Sequence, residues 1–537
     1  MSTNLKSTTY DAVVIGAGFS GLYMLHKLRG LGMSAVVFEA ADDVGGTWYL
    51  NRYPGCRCDV ESMHYSYSFD EELEQEWEWT EKYPAQPEIH AYLSHVADRH
   101  DLRKDIVLNT RVTSAHYDEG SGRWAVTTDS GETVDAQFVI SAVGCLSTPK
   151  APEIPGLDDF AGDWYHTGEW PEEKVDFTGK RVGIIGTGSS GIQVIPEVAK
   201  EAAHLTVFQR TPNYTIPTFN GPIDQELVAD VKKNYREIRQ MAKESGFGVP
   251  LPPPEKSALE VDPEERYAYY SKMWARGSVT SVLTAYTDLL VDQEANDTAA
   301  HFVHDRIREI VEDPEVAETL CPKDYPFGTK RPTMGTDYYE TFNRDNVTLV
   351  DLRKDPLERI TADGLKTEQG EWEFDVLILA TGFDAMTGPL LAMDIRGRAG
   401  QPLAEKWKDG PHTYLGLSVA GFPNLFTITG PGSPSVLSNM PVAIEQHVDW
   451  IGDLLAYMRE HGQSTAEADQ QSEEEWTQLV AEYANATLHM KANSWYLGAN
   501  VPGKPRVFMV YTGGVGVYRE TCDEIAEAGY KGFELSA

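Results

Sequence analysis

"YDAVVIGAGFSGLYMLHKLRGLGMSAVVFEA", Tyr10–Ala40, decides the fold. An apolar run, AVVI, enters the glycine-rich turn GAGFSG; a helical stretch follows, and a second apolar run, AVVF, ends at Glu39. The order is strand, tight turn, helix, strand. Gly16, Gly18 and Gly21 occupy the three positions of G-x-G-x-x-G. The first two permit the turn and a close approach of the backbone to a diphosphate. The third lets helix and strand pack tightly, and the helix N-terminus faces the anion. The same order returns in "KRVGIIGTGSSGIQVIPEVAKEAAHLTVFQR", Lys180–Arg210, with Gly186, Gly188 and Gly191. One glycine-rich turn is weak as a signal. Two copies, each between an apolar strand and a helix, point to two dinucleotide sites.

The far ends of the two units differ. Glu39 stands 18 residues after Gly21, and Gln209 stands 18 after Gly191. A carboxylate at that point accepts hydrogen bonds from both hydroxyls of an unphosphorylated ribose. In the second unit the position is neutral and is followed by Arg210 and Thr211, which suit a 2′-phosphate. FAD is therefore expected at the first loop and NADPH at the second; Arg210 also reads as an ordinary surface arginine. The expected fold class is α/β, with two Rossmann-like dinucleotide-binding domains, for FAD and NADP, and a helical insertion. Boundaries are expected at 1–150 and 390–537 for a discontinuous FAD domain and at 151–219 and 333–389 for a discontinuous NADP domain. Residues 220–332 form the insertion, where "ELVADVKKNYREIRQMAKE" and "DPEERYAYYSKMWARG" read as helices and the prolines of "GVPLPPPEKS" forbid regular structure. "LILATGFD" reads as a strand ending in small residues, where the chain passes back towards the FAD domain.

Composition narrows the function. The chain has 537 residues, 41% hydrophobic and 24% charged, as in a folded water-soluble protein. Its formal charge of −37 repels phosphate backbones, so nucleic acid is not an expected partner. No apolar run reaches the roughly 18 residues of a membrane span, and "MSTNLKSTTYDAVVIGAG" enters a strand pattern without a signal-peptide segment. The five cysteines lack the paired spacing of a zinc site; Cys56 and Cys58 form only C-x-C. Reduced, non-ligating thiols, no metal and a cytoplasmic setting are the expectation.

At this point two further motifs become readable. Phe160, Gly162, His166, Trp170 and Pro171 complete F-x-G-x-x-x-H-x-x-x-W-P in "FAGDWYHTGEWP", and Gly46, Trp48, Tyr53, Pro54, Gly55 and Asp59 complete G-x-W-x-x-x-x-[FY]-P-G-x-x-x-D. With both glycine loops, they resemble the Baeyer–Villiger monooxygenases over essentially the whole chain, through "YPFGTKR", "GPGSPSVLSNM" and "SWYLGANVPGKPRVF". The likeness is greatest to the phenylacetone and steroid monooxygenase branch. The resemblance implies an NADPH- and O₂-dependent flavin enzyme that inserts one oxygen atom beside a ketone carbonyl, giving an ester or lactone from a cyclic, aryl or other bulky ketone. Its oxidant would be an anionic C4a-peroxyflavin, and Arg331 the cation that stabilises it. Asp59 would orient Arg331 and balance its charge. On the residues alone Arg331 is one arginine among many.

The resemblance also implies flavin contacts at Thr47, Trp48, Tyr65, the Val112 backbone and Met440. It implies NADP contacts at Thr187, Ser189, Ser190, Gln193, Arg210, Thr211 and Lys330, and at Trp495, which also reads as an ordinary core aromatic. Cys145, Leu437 and Met440 would shape the substrate pocket. Cys145 stands where the phenylacetone enzymes carry glutamine, and "RPTMGTDYYE" also departs from close relatives, which puts the substrate range in doubt. His166 lies between the two nucleotide units, so the segment reads as a linker and His166 as a hydrogen-bonding coupler of domain motion; direct catalysis and simple packing are the other readings. A flavin N- or S-oxygenase and a nucleotide-binding sensor remain as alternatives. A dithiol reductase does not, since no C-x-x-C or C-x-x-x-x-C is present.

Overall fold

The computed structural model describes residues 6–150 and 153–537. The expected junction between 150 and 151 falls at residues 151–152, outside the described residues, as do residues 1–5 of the N-terminal stretch read above.

Two open sheets carry the fold. In the first, Thr9–Ile15 lies parallel to Ala35–Phe38 on one side and Thr133–Ser141 on the other. Every residue of Thr9–Ile15 except Thr9 and Asp11 is buried, as a strand covered on both faces requires. Ile106–Val107 extends one edge. Arg123–Thr128 and Val112–Asp118 continue beyond Thr133–Ser141 as an antiparallel meander. Two strands return from the C-terminal part of the chain. Asp394–Arg396 pairs with Val112–Asp118, and Leu425–Thr427 pairs with the end of Thr133–Ser141. The first nucleotide unit is thus completed by sequence some 250 residues or more downstream of its meander.

The second sheet has five strands, all parallel, in the order Val347–Asp351, His204–Gln209, Arg181–Ile185, Val376–Leu379, Asp163–His166. Its last member corrects the sequence reading. Asp163–His166 is not a linker but an edge strand, hydrogen-bonded to Val376–Leu379. Four residues with Trp164 exposed at the edge are too short for a hydrophobic period to show.

Between the sheets' sequences lies the helical part. Its helices are Gln225–Lys233, Tyr235–Glu244, Pro263–Arg276, Gln293–Ile310 and Pro314–Leu320. Four of them start on an aspartate whose carboxylate accepts first-turn amides: Asp224, Asp262, Asp292 and Asp313. The stretch expected as one helix, "ELVADVKKNYREIRQMAKE", breaks in two at Asn234. Thr215–Pro217 pairs in parallel with Thr333–Gly335 and closes the neck of the insertion. The long helix Met440–Glu460, largely buried, packs on the first loop helix, Phe19–Gly30. Among the described residues no helix is long and apolar enough to cross a membrane.

Candidate active site

The third glycine of each loop is dictated by contact. A Cβ on Gly21 would lie 1.8 Å from the Gly16 carbonyl oxygen, and one on Gly191 would lie 2.3 Å from that of Gly186. Gly16 and Gly186 themselves have φ of 101° and 110°, open only to glycine at low strain. Gly188 has nothing within 4 Å of where its Cβ would be. The backbone of the second loop is thus bare on the side where a diphosphate would approach, and the residues present fit such a group.

Both loops open into one cavity of about 1170 Å³. Gly16, Gly18, Glu39, Gly46, Thr47, Trp48, Asp59, Tyr65, Val112, Cys145 and Met440 line it on the side of the first unit. Gly186, Thr187, Gly188, Ser189, Ser190, Gln193, Arg210, Thr211, Lys330, Arg331 and Trp495 line the rest. Gly21, Gly191, His166 and Leu437 do not. The two glycines are packed under the helices, and Leu437 packs partly buried on the cluster of Cys145, Met386 and Val436. Its neighbours Val436 and Ser438 take the lining positions.

Glu39 is buried and already braced: its carboxylate accepts from Ala17 N at 2.7 Å and Ala41 N at 2.9 Å. Those bonds fix the carboxylate and leave lone pairs on both oxygens for ribose hydroxyls. Gly46, with φ of 53°, brings its loop to Gly18, where a Cβ would meet Gly18 Cα at 3.0 Å. Trp48 and Tyr65 meet edge-on, with the indole N–H donating to the phenol oxygen at 3.1 Å.

At the second unit the equivalent of Glu39 has turned away. Gln209 is fully buried and donates to the Thr319 carbonyl at 2.9 Å, inside the helical insertion. The next residue, Arg210, is exposed and lines the cavity. Lys330 stands over the Tyr325 ring at 4.5 Å. Burial and the neighbouring Arg210 charge together hold its ammonium below the usual lysine range. Among the described residues neither cation is paired with a carboxylate; like charges so placed invite a dianion. Gln193, expected as a nucleotide contact, spends its amide elsewhere. It accepts from Tyr53 Oη at 2.9 Å and donates to the Arg57 carbonyl at 3.0 Å, pinning the first unit to the second. Gly55 permits the approach, since a Cβ there would fall 2.4 Å from the Gln193 carbonyl oxygen.

Arg331 and Asp59, 272 residues apart in sequence, form a two-point pair. Arg331 Nε donates to Asp59 Oδ2 at 2.7 Å and Nη2 donates to Oδ1 at 2.9 Å. Nη1 donates to the Val436 carbonyl at 2.7 Å. Burial disfavours the guanidinium charge, but Asp59 outweighs it and raises the Arg331 pKa above its usual value. The side chains are 28% and 23% exposed, so the pair borders the cavity without being sealed from it. A fixed, permanently charged fork beside a cavity can stabilise an anion or polarise a carbonyl. The Val436 acceptor was not legible in "GPGSPSVLSNM", because a backbone carbonyl leaves no trace in residue types.

The fingerprint segment is structural in its contacts. Phe160 is buried, a Cβ on Gly162 would lie 2.6 Å from the Asp375 carbonyl oxygen, and Trp170 packs on Tyr165 and Phe177. His166 is buried; its Nδ1 accepts from Gly168 N at 3.1 Å and its Nε2 lies 3.0 Å from Thr381 Oγ1. With Nδ1 an acceptor, Nε2–H donates to the threonine. Burial lowers the His166 pKa, which keeps that neutral form. It ties the edge strand to "ATGF", the turn that passes back to the first unit.

All five cysteines are free and buried. Burial pushes the Cys145 thiol up to about 11 and that of Cys56 to about 12, so neither supplies a thiolate. Among the described residues no group of three or more His, Cys, Asp or Glu is placed to hold a metal ion.

Residues 10–222 match the flavin-binding monooxygenase-like family. The Baeyer–Villiger monooxygenase of Pseudooceanicola batsensis is 45% identical over 98% of this chain and 97% of its own. A steroid monooxygenase solved in its oxidised form with NADP is 53% identical, with a TM-score of 0.95 over 98% of this chain and 100% of that one. A cyclohexanone monooxygenase from Rhodococcus sp. Phi1, bound to NADP⁺, is 44% identical with a TM-score of 0.96 over 99% and 100%. At such identity over the full length, with both glycine loops opening on one cavity, the chain belongs to the Baeyer–Villiger monooxygenase family.

Proposed function

We infer that this chain is an FAD-containing, NADPH-dependent monooxygenase that inserts one oxygen atom beside a ketone carbonyl to give an ester or lactone. The observation that carries the reading is the Arg331–Asp59 fork on a cavity shared by two glycine loops. Bound FAD would take hydride from NADPH and activate O₂. The chain's own residues do the rest. Gly16, Gly18, Glu39 and Val112 would hold the flavin nucleotide, with Thr47, Trp48, Tyr65 and Met440 as its further contacts. Thr187, Gly188, Ser189, Ser190, Thr211 and Trp495 would hold the nicotinamide nucleotide, and Arg210 and Lys330 would take its 2′-phosphate. Arg331 keeps the attacking oxygen anionic and polarises the ketone, while Asp59 holds the fork in plane.

The substrate class is a cyclic, aryl or other bulky ketone. Relatives named for cyclohexanone and steroid substrates support this, as does the neutral, apolar wall of Cys145, Val436 and Met440. An N- or S-oxygenase attacks no carbonyl and has no use for a cation that polarises one. The functional units are residues 1–150 with 390–537 and 151–219 with 333–389, with 220–332 between them. The setting is cytoplasmic, where NADPH is abundant and buried thiols stay reduced.

Arg331→Ala tests the reading. Flavin reduction by NADPH should persist, while ester formation from a ketone panel falls at least ~100-fold, the usual loss when an oxyanion-stabilising donor is removed. Ester formation at the parent rate would refute the role given to Arg331.

A further inference from the structure

The segment that supplies the Val436 carbonyl to Arg331 contains two buried residues in a strained conformation. Thr429 has a φ of 55° and Ser435 one of 38°. Both lie in the left-handed region, which glycine enters at little cost and which a β-branched residue such as threonine rarely adopts. Strain of this kind persists only where surrounding contacts over-determine it.

The contacts that hold it are side-chain hydrogen bonds. The Thr429 amide donates to His447 Nδ1 at 2.8 Å, and the Thr429 carbonyl accepts from Ser435 Oγ at 3.1 Å. A second acceptor for that hydroxyl, Met386 Sδ, is farther off at 4.0 Å. Ser438 Oγ donates to the Ser435 carbonyl at 2.7 Å. The next carbonyl along the chain, that of Val436, accepts from Arg331 Nη1 at 2.7 Å. A peptide carbonyl lies in its peptide plane, so its direction is set by the backbone dihedrals beside it. A continuous path of hydrogen bonds and covalent links therefore runs from His447 through the strained residues to the arginine.

His447 sits within the helix Met440–Glu460, fully buried, with its ring edge-on to Tyr518 at 5.5 Å. Because Nδ1 accepts from an amide, the ring carries its proton on Nε2. Burial lowers its pKa to about 3, so the imidazole stays neutral at neutral pH. It is a fixed acceptor, not an acid or a base.

We propose that His447 is a positioning residue for Arg331: it holds the Thr429–Ser435 turn in its strained form, and with it the Val436 carbonyl that keeps the guanidinium fork aligned. The inference rests on the oxygen-insertion reading above.

The test compares His447→Leu and His447→Asn with the parent, all loaded with FAD. Leucine offers no acceptor, whereas asparagine can place an amide oxygen where Nδ1 stands. In His447→Leu, NADPH should reduce the flavin within about twofold of the parent rate, while ester formed per NADPH falls about tenfold and hydrogen peroxide makes up the difference. His447→Asn should recover most of the lost ester. Ser435→Ala removes the next link at the cost of one atom and should lower ester per NADPH about threefold, again with flavin reduction spared. If His447→Leu gives no soluble protein, Ser435→Ala decides, and parent-like coupling in it refutes the proposal. A parent that makes no ester from any ketone refutes the oxygen-insertion reading. A parent that makes ester and a His447→Leu variant equally well coupled refute only the role of His447. Equal losses in the leucine and asparagine variants, or a proportionate loss of flavin reduction and ester, would show a packing role and refute it too.

Discussion

The first loop carries Gly21 with its would-be Cβ 1.8 Å from a carbonyl oxygen, and the second carries Gly191 with the same contact at 2.3 Å. Both loops follow a buried parallel strand and open a helix. Beyond the helix the likeness ends. The first unit finishes on Glu39, braced by two backbone amides and facing the cavity. The second turns Gln209 inward to Thr319 and presents Arg210, which Lys330 joins from the insertion side. Backbone geometry is set by the need to approach a diphosphate and is repeated. Ligand identity is set by charge at one strand end and is not.

The largest expected effects strike the repeated part. Gly21→Ala and Gly191→Ala each force a Cβ into a carbonyl oxygen, so soluble protein, measured by expression and thermal unfolding, should fall sharply for both. The first should fare worse because its clash is closer. If either folds with parent stability, the packing account of the third glycine is wrong.

A pair of substitutions at the divergent ends should separate the two ligands. Glu39→Gln should weaken FAD retention about tenfold, roughly one charge-assisted bond, read as flavin absorbance after dialysis, with the NADPH-to-NADH preference unchanged. Arg210→Ala should raise KM for NADPH about tenfold or more, leave KM for NADH nearly as it was, and spare the flavin. Should Arg210→Ala shift both KM values equally, the 2′-phosphate assignment fails.

The smallest effect sharpens the comparison most. Aligning the loops suggests Gln209→Glu as the change that converts the second site to NAD. The side chain faces the Thr319 carbonyl, which a carboxylate cannot pair with, so the expected outcome is a stability loss of about 1–3 kcal/mol and less than a twofold change in coenzyme preference. A clear gain in NADH use would mean that Gln209 reaches the cavity.

The fold was legible in sequence where local chemistry repeats. Glycine spacing, apolar strands and the strand-end charge announced two nucleotide units, and the helical stretches and prolines marked the insertion between them. The edge strand Asp163–His166 was not legible: it is four residues long and exists only because Val376–Leu379 lies beside it. The long helix Met440–Glu460 was not legible either, since polar Glu445, Gln446 and His447 are buried beside its apolar residues and blur the period.

The site divides along the same line. Arg331 and Asp59 were named through a family resemblance, and nothing in their separate neighbourhoods joins residues 272 positions apart. Only tertiary structure brings them to one fork, adds the Val436 carbonyl and turns Gln209 inward. The sequence by itself determined which nucleotides this protein is built to hold, because glycine conformational freedom and side-chain charge act over a few neighbouring residues. Which groups face the reacting atoms was decided by packing, because side-chain direction and backbone acceptors depend on what the rest of the chain places opposite.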